Sequence, residues 1–212
     1  MPIRDDLLVR GELPDIYFIR HGQTDWNAQG RYQGQKDIAL NKKGRGQASA
    51  NGVLLTDLLS KAELDPNEMD WYASSLSRAI DTMELIRSNF SGLSKKVKID
   101  KSLIEVSFGE HEGSLYRDLT SDFAKRGERD ESFWGHRPKG GESYIDLVDR
   151  IEPFISNITK PSIIVSHGGI ARVFRYLLEG LPKIDVVNMA TPQDAILHFS
   201  KGKLNIIKSR ND

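Results

Sequence analysis

The chain of 212 residues contains no cysteine. Disulfide staples, thiolate metal sites and a cysteine nucleophile are excluded together by that one absence. Net charge is missing too, because 30 basic residues balance 30 acidic ones. Nothing in the composition therefore suggests a nucleic-acid or membrane-surface protein, and any positive site must be local. No apolar run approaches the length of a membrane span, and the opening MPIRDDLLVRGELPD carries acidic residues where a signal peptide would be apolar. A soluble cytoplasmic protein is the expectation. HxxxH and HExxH spacings are absent among the 5 histidines, so neither a metal nor any other cofactor is expected. A Walker-type phosphate loop is absent as well, which removes support for nucleotide-driven kinase chemistry, and no internal repeat suggests a solenoid.

What is present begins at IYFIR, residues 16–20, a run rich in Ile, Tyr and Phe that reads as a short buried strand. Arg20, His21 and Gly22 follow at its carboxyl end. The pattern recurs late in the chain, where Ile163, Ile164 and Val165 lead into His167-Gly168-Gly169. Beyond that second histidine, Ile170, Val173, Phe174, Leu177 and Leu178 mark one apolar helix face that ends near Gly180 and Pro182. A third unit places a strand near 70–73, a serine-rich turn, and a helix with the face Leu76, Ala79, Ile80, Met83 and Ile86, with Arg78 in its first turn.

Further helices are predicted over 44–59 and 142–158. The second runs through Ile145, Val148, Ile151, Ile155 and Ile158, with a kink expected at Pro153. AILHFSKGKLNII reads as a closing hairpin around Lys201-Gly202, and His198 within it as an ordinary strand residue. Alternating strands and helices argue for one α/β domain with a mostly parallel sheet covered on both faces, preceded by an N-terminal extension over 1–15. In such sheets functional residues gather beyond the carboxyl ends of the strands. That rule brings Arg20, His21, Arg78 and His167 together, however far apart they lie in the chain.

These residues carry a likeness. With Arg20-His21-Gly22 after the first strand and His167-Gly168 late, the sequence resembles the histidine phosphatase superfamily, the phosphoglycerate mutase-like proteins. The likeness continues in the family's order through Asn27, RYQG at 31–34, YASSLSRAIDT at 72–82, Glu105 in LIEVSFGEHEG and PKGGES at 138–143, and covers residues 16–192. The resemblance implies a three-layer α/β/α fold and metal-independent hydrolysis of a phosphate monoester through a phosphohistidine. It implies that His21 is the nucleophile, that Arg20, Arg78 and His167 surround the phosphate, and that Glu105 is the proton donor. Gly22, Thr24, Asn27, Gln33, Gly34 and the backbone at Gly168 complete the expected phosphate-binding set.

The chemistry can be argued from the residue types alone. A phosphate monoester carries nearly two negative charges, and a neutral imidazole nitrogen can approach phosphorus through them. Its other nitrogen must donate a hydrogen bond, typically to a backbone carbonyl, to fix the tautomer. Two guanidiniums hold the non-bridging oxygens with forked bonds and disfavour protonation of the histidine. His167, if protonated, would add a third donor toward the equatorial oxygens. The leaving alkoxide needs a proton from a carboxylic acid, which in the second half-reaction activates water. Glu110 and Glu112 are nearby alternatives, but the family's acid precedes an FG pair, as Glu105 precedes Phe108-Gly109.

Mutases of the family carry an arginine directly after the catalytic glutamate, a tyrosine three positions after it, a lysine further on and a paired-arginine motif. Here the first three positions hold Val106, Phe108 and Tyr116, and no Arg-Arg pair occurs. Since a mutase needs extra cations to hold a second anionic group, their absence favours the phosphatase branch, as does glycine at 169 where mutases place asparagine. The expected partner is a small phosphorylated metabolite. A homodimer is compatible with the sequence but not required by it. Substrate choice is expected to lie in the insertion 115–141, through Tyr116, Phe133, Trp134, His136, Arg137 and Lys139. Two other readings carry distinct consequences: a phosphoglycerate mutase, or an idle module that binds phosphorylated ligands without turnover.

Overall fold

Ile16 to Ile19 offer no polar face, and the strand they form, β1 (Ile16–Arg20), lies inside a six-stranded sheet with both sides covered. This computed structural model describes residues 13–118 and 132–208. The other strands are β2 (Asp70–Ala73), β3 (Val97–Ile99), β4 (Ser162–Ser166), β5 (Ala195–Ser200) and β6 (Lys203–Lys208), in the order β3-β2-β4-β1-β5-β6. Pairing is parallel from β3 to β1 and antiparallel from β1 through β5 to β6.

The helices are α1 (Asp25–Gln29), α2 (Lys42–Lys61), α3 (Ser77–Arg87), α4 (Ser132–Gly135), α5 (Tyr144–Ser156), α6 (Gly168–Glu179) and α7 (Lys183–Asn188). Alternation along the strands divides the core in two. Ile16, Phe18 and Ile164 point toward α5 and α6, while Tyr17, Ile19, Ile163 and Val165 point toward α2 and α3. The result is the three-layer α/β/α arrangement expected from the sequence.

Helix α6 follows its periodicity closely: Ile170, Val173, Phe174 and Leu177 are buried, and Gly180 ends it at φ 66°. In α3 the buried face also takes in Arg78 and Thr82, which a purely apolar count leaves out. Helix α5 departs further. Ser143 and Asp146 form a reciprocal capping box, and the buried face is Tyr144, Leu147, Ile151 and Ile155, whereas Ile145 is 49% exposed. The prediction counted only β-branched residues and so rotated the face. Pro153 sits inside α5 on its exposed side, where water can take the carbonyl that a proline leaves unbonded, so the helix runs on to Ser156.

The closing hairpin turns at Lys201 and Gly202, both with positive φ, as a tight two-residue connection requires. His198 stacks on Tyr17 at 4.3 Å and meets Asp15 through Nε2 at 3.2 Å, away from the site. Most of the expected N-terminal extension, 1–12, and the centre of the expected insertion, 119–131, lie outside the described residues. Among the described residues no helix is long and apolar enough to cross a membrane.

Parallel register places the chemistry. Arg20 pairs with Ser166, and Ala73 pairs with Val165, so three strands end level with one another. His21 extends this ladder by donating its N–H to Ser166 O at 2.9 Å, and Ser74 does the same to Val165 O at 3.0 Å.

Phe174, fully buried between Phe18, Phe154 and Phe199, is the aromatic centre of one core half. Phe174→Ala is expected to cost about 3–5 kcal/mol of unfolding free energy, read from the urea midpoint at unchanged m-value.

Candidate active site

A cavity of about 430 Å³ opens over the ends of β1, β2 and β4. His21 stands in it, 2% exposed, with Nδ1 2.7 Å from the carbonyl of Gly22. Because a carbonyl only accepts, Nδ1 carries the hydrogen and Nε2 keeps its lone pair. His167 stands edge-on to it, ring centroids 5.1 Å apart. The Ser74 hydroxyl accepts from Leu76 N–H at 3.4 Å and lies 2.7 Å from His167 Nε2, to which its own proton is free to point. His167 Nδ1 is buried and has no hydrogen-bond partner among the described residues.

Burial, then the nearby guanidiniums of Arg78 and Arg20, holds His21 well below the usual histidine range. The same causes, with burial again first, hold His167 well below it. The protonated form, on which a role for His167 as a third donor was conditional, is thus disfavoured in this site.

The two guanidiniums are held by carbonyl oxygens. Arg20 donates through Nη1 to Thr191 O at 2.6 Å and Thr191 Oγ1 at 3.2 Å. Arg78, fully buried, donates to Lys36 O and Gly34 O, both at 2.7 Å. With its amide oxygen turned toward Arg78, Gln33 accepts from Nε at 2.8 Å, and its nitrogen then faces Thr24 Oγ1. Burial pushes Arg78 down to about 10, which leaves it charged at neutral pH.

Glu105 contributes the one carboxylate lining the cavity among the described residues. It accepts from Val106 N–H at 2.9 Å and from Gly169 N–H at 3.1 Å. A Cβ at 169 would lie 2.4 Å from Glu105 Oε1, so this seat exists only because residue 169 is glycine. The loop carrying Glu105 has no strand partner, and side chains satisfy its backbone instead. Arg150 donates to Ser102 O and Ile104 O, while Glu142 accepts from Ser107 N–H at 2.9 Å and pairs with Arg150 at 3.1 Å. Glu112 accepts from Gln35 N–H and Phe108 N–H instead of facing the cavity, and Glu110 is exposed.

Asn27, Gln33, Gly34 and Gly168 line the cavity as expected, although Asn27 also caps α1, accepting from Thr24 N–H at 3.2 Å. Gly22 and Thr24, expected in the same set, do not line it. A Cβ at Gly22 would meet Gly44 O at 2.2 Å, so Gly22 lets α2 approach, and Thr24 is the buried N-cap of α1. Of the residues expected to shape substrate choice, Tyr116 lines the cavity, beside Phe108 and Tyr144. Phe133 and Trp134 pack into the core against Tyr144, and Arg137 pairs with Asp146.

The sequence reading missed Arg172, Thr191 and Gln193. Gln193 donates to His21 O and Asn27 Oδ1, both at 3.1 Å. Arg172 is an added cation in the cavity, against the expectation that such cations were absent. Its position three residues beyond Gly169, on the same helix face, is the signal that could have found it. Among the described residues no group of three histidine or acidic side chains is arranged to hold a metal ion.

The profile of the histidine phosphatase superfamily (branch 1) matches residues 16–212. The chain is 32% identical over 181 residues to a glucosyl-3-phosphoglycerate phosphatase of Mycolicibacterium vanbaalenii, covering 79% of this chain and 75% of that one. It is 34% identical over 181 residues to a metal-independent phosphoserine phosphatase of Arabidopsis thaliana, covering 79% and 70%. A mycobacterial glucosyl-3-phosphoglycerate phosphatase solved with VO3 superposes with a TM-score of 0.72 at 25% identity, covering 93% of this chain and 100% of that one.

Both buried histidines refuse protons that the unfolded chain takes up below about pH 6.5. Stability is therefore full above that pH and falls as pH drops, each histidine steepening the fall by about 1.4 kcal/mol per pH unit. Urea unfolding between pH 7 and 5 is expected to show this slope, with one histidine's share missing in His21→Ala.

Proposed function

Because the chain belongs to the histidine phosphatase superfamily, we propose that it is a phosphohydrolase cleaving a phosphate monoester of a small metabolite, in the cytoplasm, through a phosphohistidine on His21. One observation carries this reading: the tautomer of His21 is locked with Nε2 unprotonated, beside two guanidiniums whose hydrogen bonds go to carbonyl and hydroxyl oxygens and not to carboxylates.

Arg20 and Arg78 bind the non-bridging oxygens, and His167 Nδ1–H adds a donor. His21 Nε2 forms the bond to phosphorus as the ester oxygen leaves, and Glu105 delivers a proton to that oxygen. In the second half-reaction Glu105 takes a proton from water, which attacks phosphorus and frees Nε2. The fixed donors stabilise charge on the equatorial oxygens in both steps without reorganising.

Two features favour hydrolysis over a mutase. Val106, 1% exposed, is packed into the core at the position where the family's mutases carry arginine. Asparagine at 169 would displace Glu105 from its seat. The relatives named as phosphatases agree with this branch.

Release of inorganic phosphate from sugar phosphates and p-nitrophenyl phosphate, with chelator present, is expected to fall about a thousandfold or more in His21→Ala. Retained turnover would refute the phosphohistidine route. Glu142→Ala loosens the loop that carries Glu105, so it is expected to slow alkyl phosphates about tenfold more than p-nitrophenyl phosphate, whose leaving group needs no proton. An equal loss on both would show that the clamp does not serve proton delivery.

A further inference from the structure

Arg172 is the guanidinium that the phosphoryl chemistry above leaves unused. It lines the cavity from α6, beside Tyr144 and Ala190. Its Nη2 donates to Met189 O at 3.0 Å. Its Nη1 lies 3.5 Å from the Tyr144 hydroxyl, at the outer limit of a hydrogen bond, and its Nε has no acceptor. No carboxylate pairs with it among the described residues. A guanidinium kept partly out of water with neither a full set of acceptors nor a counter-charge is costly unless a ligand supplies both.

Its place differs from that of the other two. Arg78 and Arg20 hold down the protonation of both histidines, whereas Arg172 acts on Arg20 and is absent from the groups that shift His21 or His167. It therefore stands close enough to Arg20 for the two like charges to act on one another.

Resting on the phosphatase reading, we propose that Arg172 and the Tyr144 hydroxyl form a second anion subsite, so that the substrate is a phosphate monoester that also carries a carboxylate or a second phosphate. The planar fork of a guanidinium matches either group, and the tyrosine hydroxyl can turn its proton to the same anion. Hydrolysis at His21 leaves this second anion unchanged, and it distinguishes the substrate from neutral alcohol phosphates of similar size.

The test compares near-isosteric pairs. 3-Phosphoglycerate against glycerol 3-phosphate reads a carboxylate, and fructose 1,6-bisphosphate against fructose 1-phosphate reads a second phosphate. For one pair the ratio of kcat/KM values is expected to favour the doubly anionic member, and to fall about tenfold or more in Arg172→Gln, with a smaller fall in Arg172→Lys. The pair that responds identifies the anion. Ratios near one in the wild type, or ratios that Arg172→Gln leaves unchanged, would overturn the subsite. An equal loss on both members would overturn it too, by assigning Arg172 to the transferred phosphate. Calorimetric binding of the same pairs to His21→Ala reads the ratio without turnover, so the subsite stands or falls separately from the phosphatase reading.

Discussion

Buried guanidiniums anchored by carbonyl oxygens set the terms for the rest of this structure. A carboxylate partner would neutralise Arg20 or Arg78 and leave little for a ligand to gain. Carbonyls from Thr191, Lys36 and Gly34 orient the charge without cancelling it. After burial, which is the larger cause, this charge holds His21 and His167 well below the usual histidine range. It also accounts for the cost of an empty site, since charge withheld from water is expensive until an anion arrives.

Much of this was legible in the sequence because it is local or periodic. The strand before His21, the helix after His167 and the hairpin at Gly202 all follow from short-range patterns. The level strand ends then follow from parallel pairing, which the alternation of strands and helices predicts. The face of α5 was misread because Tyr144 and Leu147 were left out of a count of Ile and Val. Arg78 was legible as a site residue, but its complete burial was not, because the acceptors that make it tolerable lie in another loop.

Several illegible features depend on partners distant in the chain. Thr191 and Gln193 sit in a loop without periodicity, and their roles exist only because β5 returns beside β1. Gly22 and Thr24 flank His21 and so read as ligand contacts. In the structure Gly22 lets α2 approach and offers its carbonyl to His21 Nδ1, and Thr24 caps α1. Arg172 occupies the less buried side of an amphipathic helix, where an arginine reads as a solvent residue until the cavity is seen.

The seam between β1 and β4 joins segments far apart in the chain, since Arg20 and Ser166 are direct neighbours across it. A pairing of such long sequence separation forms only after a large loss of chain entropy. His21 and His167 therefore come together when the centre of the sheet closes, and no fragment lacking either strand can hold both. Regain of activity after denaturation in consequence cannot precede closure of that seam.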